Sequence, residues 1–132
     1  MPPRYVVLRH ESPGGLHWDF MLEMDGVLAT WALAEPPAAA VLAARPLPDH
    51  RVAYLEYEGP ISGGRGSVTR WDRGTYHCKR READEIVAVV DGEILQGEII
   101  LRRLSEAPAQ WTLTYVPLAG QEAGPFGLRD GP

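Results

Sequence analysis

Two Asp-Gly pairs are the feature that most constrains how this chain can fold. An Asp-Gly pair between β-type runs is a strong local signal for a hairpin, because both residues tolerate the positive φ angles of a tight two-residue turn. Such runs flank both pairs: Leu16 to Glu23 and Val27 to Leu33 around Asp25-Gly26, and Glu85 to Val90 and Glu93 to Arg103 around Asp91-Gly92. The sequence therefore predicts two antiparallel hairpins.

Further strands are predicted along the rest of the chain. Alternating or β-branched and aromatic runs lie at Arg4 to Arg9, at Arg51 to Glu58, at Ser67 to Arg80 with a turn at Asp72-Arg73-Gly74, and at Gln110 to Val116. The prolines between Pro36 and Asp49 predict a mostly irregular connection. We therefore expect an all-β fold, a small single-domain β-barrel of about eight mostly antiparallel strands with little helix.

Length, charge and cysteine content narrow the class of protein. The 132 residues fit one domain, predicted over residues 1–117, with a flexible C-terminal tail over 118–132. A net charge of −5 disfavours a broad basic surface for nucleic acid, although the cluster at His77 and Lys79 to Arg81 is either a solvated strand and turn or a phosphate-facing strip. One cysteine, no signal peptide and no bilayer-length apolar run predict a cytoplasmic protein without membrane contact.

The first candidate site lies at the start of the chain. His10, His17 and Asp19 fall within ten residues, and the spacing of His17 and Asp19 puts both on one face of a β-strand. Two imidazoles and a carboxylate suit a divalent metal such as Mn, Zn, Fe or Ni. The alternative is that the histidines serve packing or solvation.

The second candidate site follows the proline-rich connection. His50 and Tyr54 stand at a predicted loop-to-strand junction, where a loop residue can face a site built on neighbouring strands. A histidine there can act as a general acid or donate to an oxyanion, and a tyrosine hydroxyl can position a phosphate oxygen. The alternative is a surface histidine and a core tyrosine.

With these pieces in place, the chain resembles the 3′-phosphoesterase domain of bacterial DNA ligase D, which also occurs as small stand-alone proteins. The matching stretches are YVVLRH, LHWDFMLEMDGVLATWAL, DHRVAYLEYEGPI, GSVTRWDRGTY, and DGEILQGEIILRR followed by QWTLTYV. They occur in the family's order over roughly residues 5 to 116. No single motif is decisive, but their common order is specific.

The resemblance implies a small barrel-like β fold with a manganese-dependent site, in which Zn²⁺ is another possible metal. Such a site removes a 3′-terminal ribonucleoside and then the 3′-phosphate from a DNA or RNA/DNA primer end. The family's metal ligands map onto His10, His17 and Asp19, and its phosphate-engaging histidine and tyrosine map onto His50 and Tyr54. A DNA ligase or a repair polymerase is the implied partner.

The chain departs from the family pattern at two charged positions. A phosphate-binding arginine of the family is replaced by Met21, and a lysine after the returning strand is replaced by Glu35. The spacing between the two histidines is also one residue longer than is usual. Losing a guanidinium removes a charge-assisted contact to an anion, so we expect Arg45, Arg51 or Arg65 to replace it.

Three functions remain open at this stage. The first is an active metal-dependent phosphoesterase acting on 3′ ends. The second is a non-catalytic module that keeps the fold and binds DNA ends or a repair partner. The third is a metalloenzyme of the same fold acting on a less anionic substrate, which would suit Met21 and Glu35. The first and third require hydrolysis of some substrate, whereas the second requires none.

Overall fold

A computed structural model describes residues 1–105 and 107–118, apart from the side chain of Pro108. The described chain consists almost entirely of β-strands joined by short turns. In chain order the elements are β1 (Arg4–Ser12), β2 (Gly15–Met24), β3 (Val27–Leu33), β4 (Val41–His50), a single 3₁₀ turn (Val52–Leu55), β5 (Gly59–Pro60), β6 (Ser67–Glu82), β7 (Glu85–Gly92), β8 (Gln96–Leu104) and β9 (Ala107–Pro117). No helix among these residues has the length and apolarity needed to cross a membrane.

The strands form one antiparallel sheet that closes into a barrel-like ring. The order is β1-β2-β3-β4-β9-β8-β7-β6, and β1 pairs again with β6 to complete the circle of eight strands. The two-residue β5 adds only to the border of β6. The pairing of β1 with β6 covers the two end edges that an open sheet of these strands would present. The predicted all-β class, the strand number and the small amount of helix are confirmed.

Alternation along the strands separates two apolar clusters. Residues such as Tyr5, Val7 and Phe20 point inward and belong to the large cluster that fills the ring. Their neighbours Val6 and Leu8 point outward, because successive side chains of a strand face opposite sides. This outer cluster comprises Val6, Leu8, Met21, Leu28, Leu55 and Val68. The 3₁₀ turn covers it through Leu55, so the outer face of β1 and β2 is a buried layer as well.

The predicted turn at Asp72-Arg73-Gly74 is wrong, because β6 runs through these residues without a break. Asp72 is buried and accepts a hydrogen bond from the Tyr5 hydroxyl at 2.5 Å and another from the Leu95 amide at 3.0 Å. Burial, together with the Asp72 carboxylate, raises the pKa of Tyr5 far above its usual value, so the phenol remains a donor. A polar residue type that often marks turns serves here as a buried acceptor.

The region predicted as an irregular connection, Pro36 to Asp49, contains strand β4. Its first half, Val41 to Ala44, pairs with β9, and its second half pairs with β3 from Arg45 to His50. Pro46 and Pro48 lie in the second half, where only one neighbouring strand is present. A proline lacks an N–H, so it is tolerated in a strand whose other backbone edge has no partner.

The predicted strand Arg51 to Glu58 is also wrong. The chain instead turns through the 3₁₀ segment, with Tyr54 N–H donating to the carbonyl of Arg51 at 3.0 Å and Glu56 N–H to that of Ala53 at 3.1 Å. Because β1 already pairs on both sides, with β2 and β6, no edge of that strand is left for another one. In this connection Leu55 is buried and Tyr54 is half-buried against the outer cluster, whereas the other residues from Arg51 to Glu58 are exposed.

Both predicted hairpins are present, but the second turns slightly later than predicted. Asp25 and Gly26 take positive φ angles of 54° and 82° between β2 and β3, as a tight turn requires. In the second hairpin Asp91 still pairs with Gln96, so Asp91 ends the ladder and the chain reverses over Gly92 to Leu95. The predicted tail over residues 118–132 lies, beyond Leu118, outside the described residues.

The basic cluster of β6 is extensively paired with carboxylates. Lys79 bonds Glu98, Arg80 lies 2.7 Å from Glu85, and Arg81 bonds Asp25. The guanidinium of Arg81 accordingly lowers the pKa of the Asp25 carboxyl. This arrangement favours a solvated ion-paired surface over a phosphate-facing strip.

Gly92 provides a test of how closely the ring is packed. A Cβ atom at this position would lie 1.8 Å from the Tyr5 hydroxyl. Gly92→Ala should therefore lower the free energy of unfolding by at least about 2 kcal/mol, because the buried Tyr5–Asp72 pair must shift. Urea denaturation measures the change. Gly14→Ala is the control, since its Cβ would meet only the Ser12 hydroxyl at 3.9 Å, and a loss below about 0.5 kcal/mol is expected there. Equal losses in the two variants would contradict the packing argument.

Candidate metal centre

The hairpin of β1 and β2 brings the two histidines directly opposite each other. The residues between them form two ladder pairs, Glu11 with Leu16 and Ser12 with Gly15, closed by a turn at Pro13 and Gly14. His10 and His17 are consequently cross-strand partners, with ring centroids 4.5 Å apart. The longer spacing noted in the sequence therefore produces a regular hairpin.

Asp19 completes the cluster from the same face of β2. Its Oδ2 lies 3.1 Å from His10 Nδ1, and its Oδ1 lies 2.9 Å from His17 Nε2. One ligand atom from each of the three side chains can be chosen so that all lie within 4.8 Å of one another. The Asp19 residue is only 2% exposed. The three predicted metal ligands thus converge on one point of the outer face.

The hydrogen bonds of His10 leave its Nδ1 facing the Asp19 carboxylate. His10 Nε2 lies 2.8 Å from the main-chain carbonyl of Arg65, and since a carbonyl only accepts, this nitrogen carries the proton. In a neutral ring His10 Nδ1 then presents a lone pair to the Asp19 carboxylate. A proton or a metal cation is needed between the two atoms.

A second observation points to a metal. The buried Oδ1 of Asp19 has no hydrogen-bond donor, although His17 Nε2 stands at ion-pair distance from it. A histidine that donates its other ring N–H to a backbone carbonyl, as His10 does to Arg65, has the supporting contact typical of metal ligands. His10, His17 and Asp19 therefore fit a divalent cation such as Mn²⁺ or Zn²⁺.

The second predicted pair faces the same site. A cavity of about 60 Å³ on the outer face is lined by His10, Asp19, His50, Tyr54 and Arg65, together with apolar residues. His50 Nδ1 donates to the Pro48 carbonyl at 2.9 Å, which leaves Nε2 as the nitrogen that can exchange a proton with a ligand. The Tyr54 ring packs edge-on against His50, with centroids 5.7 Å apart. The end of β4 and the 3₁₀ turn thus bring both side chains to the cluster of His10, His17 and Asp19.

The two positions that depart from the family pattern differ in their surroundings. Met21 is buried and lines the small cavity as part of the outer cluster. Glu35 is exposed and does not line that cavity. The substitution at position 21 therefore makes one wall of the cavity apolar, whereas no contact brings Glu35 to it.

The three candidate arginines occupy three different places. Arg65 lines the cavity, and its guanidinium donates to the Ser62 carbonyl at 2.8 Å while keeping further N–H donors. Arg51 lines a neighbouring pocket with Tyr54. Arg45 lines a larger recess that adjoins His17. Of the three residues, only Arg65 lines the cavity beside His10 and Asp19.

A main-chain group was missed by the sequence analysis. The Arg65 carbonyl orients His10, and a backbone oxygen leaves no signature in side-chain identity. The available signal is Gly66, where φ is +91° and a Cβ would lie 1.8 Å from the carbonyl oxygen of Glu11. This close approach presses the glycine-rich loop onto β1, and only glycine permits it.

Comparisons with known proteins show which family the chain resembles. The family model of the "DNA Ligase D 3'-phosphoesterase domain" matches residues 8–103. The "Multifunctional non-homologous end joining protein LigD" of Pseudomonas aeruginosa is 34% identical over 123 residues, which cover 83% of this chain and 14% of that protein. The proteins of the same name from Mycobacterium bovis and Mycolicibacterium smegmatis are 35% and 32% identical, over 75% and 74% of this chain and 14% and 15% of their own. The chain thus spans about one seventh of these relatives.

Metal binding is the direct test of the cluster. Asp19→Asn should weaken Mn²⁺ binding by more than about 100-fold in calorimetric titration, because losing a ligand costs more than losing a supporting contact, which costs roughly 10- to 100-fold. His77→Ala is the matched control, since this fourth histidine is exposed on β6 and lines none of the cavity. Unchanged Mn²⁺ affinity in Asp19→Asn would remove the cluster as a metal site.

Proposed function

Because the chain belongs to the DNA ligase D 3′-phosphoesterase domain family, we propose that it is a metal-dependent phosphoesterase that trims the 3′ ends of nucleic acid in DNA repair. The proposed substrates are a 3′-terminal ribonucleoside and a 3′-phosphate on a DNA or RNA/DNA primer end. The proposed metal is Mn²⁺, with Zn²⁺ as the alternative. A DNA ligase or a repair polymerase is the proposed partner, since the relatives carry end joining in their names and are much longer than this chain.

One observation supports this proposal above all. Two groups of polar side chains from distant parts of the chain line a single cavity, His10 and Asp19 from the first hairpin and His50 and Tyr54 from the end of β4 and the turn after it. Apolar walls of Leu8, Met21 and Val68 surround them. Among them Asp19 is buried and its Oδ1 has no hydrogen-bond donor, and burying such a group is costly unless a ligand compensates it.

Each group has a definable task in phosphoester hydrolysis. A divalent cation held by His10, His17 and Asp19 would polarise the phosphate and activate a water. His50 can transfer a proton at Nε2, because its Nδ1 proton is held by Pro48. The Tyr54 hydroxyl can donate to a phosphate oxygen, and its ring is kept in place between His50 and Tyr57. The Arg65 guanidinium supplies the positive charge that Met21 does not.

Met21 supports a second candidate. Its buried thioether gives the cavity an apolar wall where an anion would gain from a cation. A metalloenzyme of this fold acting on a less anionic phosphoester therefore stays open, and so does a non-catalytic module that binds DNA ends.

Hydrolysis of defined strands separates these functions. We expect Mn²⁺-dependent shortening of a 5′-labelled primer-template that ends in a ribonucleotide, and loss of the phosphate from one that ends in a 3′-phosphate. Gel electrophoresis resolves the products, and Asp19→Asn should abolish both reactions. Hydrolysis only of a phosphodiester whose end carries no phosphate would favour the metalloenzyme that acts on a less anionic substrate. Absence of any hydrolysis, with Mn²⁺ still bound, would favour the non-catalytic module.

Arg65 should carry the phosphate charge in this site. Arg65→Gln keeps the main-chain carbonyl that holds His10 and removes only the guanidinium. We expect kcat/KM to fall about 10- to 100-fold, the equivalent of one hydrogen bond to a charged group. Steady-state kinetics on the 3′-phosphate substrate measures this change. Arg80→Gln is the control, since Arg80 is an exposed partner of Glu85 on β6, and equal rates for the wild type and Arg65→Gln would exclude this role.

A further inference from the structure

A large recess opens where strand β4 changes partners. β4 pairs with β9 up to Ala44 and with β3 from Arg45 onward. Residues from the end of β3, from the part of β4 around this change and from the start of β9 line a recess of about 690 Å³. That volume falls within the range of small-molecule binding sites, roughly 300 to 1,000 Å³.

The recess adjoins the proposed metal cluster, formed by His10, His17 and Asp19, because His17 belongs to both. His17 lines it, while the other face of the cluster, formed by His10 and Asp19, lines the small cavity. The small cavity, at about 60 Å³, has room for an ion and a few water-sized groups but not for a nucleoside. A nucleoside attached to a phosphate at the metal would therefore extend outside that cavity, and the recess beside His17 has room for one.

The lining of the recess suits a base next to a phosphate. Leu16, Leu33 and several alanines make it largely apolar, and its described lining contains Arg45 but no carboxylate. In a chain of net charge −5, this is a locally favourable place for an anionic strand. The side-chain amide of Gln110 at the rim can hydrogen-bond a base edge.

Trp111 gives the recess an aromatic wall in a fixed position. Its ring packs edge-on against the buried Trp31, with centroids 5.6 Å apart and an interplanar angle of 62°. Trp111 itself is half-buried and lines the recess. A held aromatic ring with an accessible side is the usual platform on which an unpaired base stacks.

We propose that this recess binds the 3′-terminal nucleoside of the strand whose phosphate lies at the metal cluster, with the base stacked against Trp111 and the strand's negative charge beside Arg45. The inference rests on the proposed function for the identity of the ligand, and it adds the subsite that holds the terminal nucleoside. Both the terminal base and the phosphate would therefore contribute to binding of the 3′ end.

Binding to two strands that differ only in the terminal base tests this subsite. One short 5′-fluorescein-labelled DNA ends in a ribonucleotide and the other in an abasic ribose, each joined by a phosphorothioate linkage that resists hydrolysis. Fluorescence anisotropy in Mn²⁺ buffer should show 5- to 100-fold tighter binding of the strand with the base, about the range expected for one stacked base. In Trp111→Leu this preference should fall to near unity while the affinity for the abasic strand is retained.

Circular dichroism shows whether Trp111→Leu folds, and a second variant tests the recess without changing Trp111. Ala34→Leu partly fills the recess from an exposed position after β3 and should also abolish the preference for the base. Equal binding of both strands by the wild type, or a preference that persists in the variants, would overturn the inference.

Hydrolysis of the unmodified strands separates this inference from the proposed function. A Trp111-dependent base preference without any hydrolysis would leave the subsite standing and reject the phosphoesterase. Equal hydrolysis of both strands, without a base preference in binding, would establish the phosphoesterase and reject the subsite.

Discussion

The double pairing of β1, with β2 on one side and β6 on the other, is the constraint on which the rest of the structure depends. It closes the ring and fixes which β1 side chains point into it. With Tyr5 and Val7 committed to the interior, Val6, Leu8 and His10 must face outward. The double pairing also leaves no edge of β1 for the segment after β4, which folds over the outer face and brings Tyr54 beside His10. The buried layer outside the ring, and the site within it, follow from that pairing.

Local signals in the sequence predicted the parts of the fold that depend on neighbouring residues. The Asp25-Gly26 turn lies where the dipeptide indicates, and the two-residue period put His17 and Asp19 on one face. His10 lies beside them because the register of a hairpin is set by residues that are close in sequence. These features needed no knowledge of the remaining chain, and the structure brings the three side chains together.

The errors share a different cause, since each involved a residue whose role is set by a distant partner. Pro46 and Pro48 are compatible with a strand only because β9 pairs with β4 no further than Ala44, so that no strand needs their missing N–H groups. Asp72 is an acceptor rather than a turn residue because Tyr5, far away in sequence, donates to it. Sequence reasoning from the residues proposed His50 and Tyr54 as a site, but their convergence on the hairpin cluster was implied only by the family resemblance. Long-range pairing decides all three, and periodicity carries no information about it.

The contact between the Arg65 carbonyl and His10 has a consequence for how such a protein can diversify. A main-chain oxygen is common to all amino acids, so mutation of the loop's side chains leaves the imidazole oriented. The charge and shape of the loop's surface can therefore change while the contact that orients His10 is kept. Gly66 is the exception, because any larger residue would lift the loop from β1. The loop's side chains can thus vary independently of the orientation of His10, which depends on one backbone oxygen and one glycine.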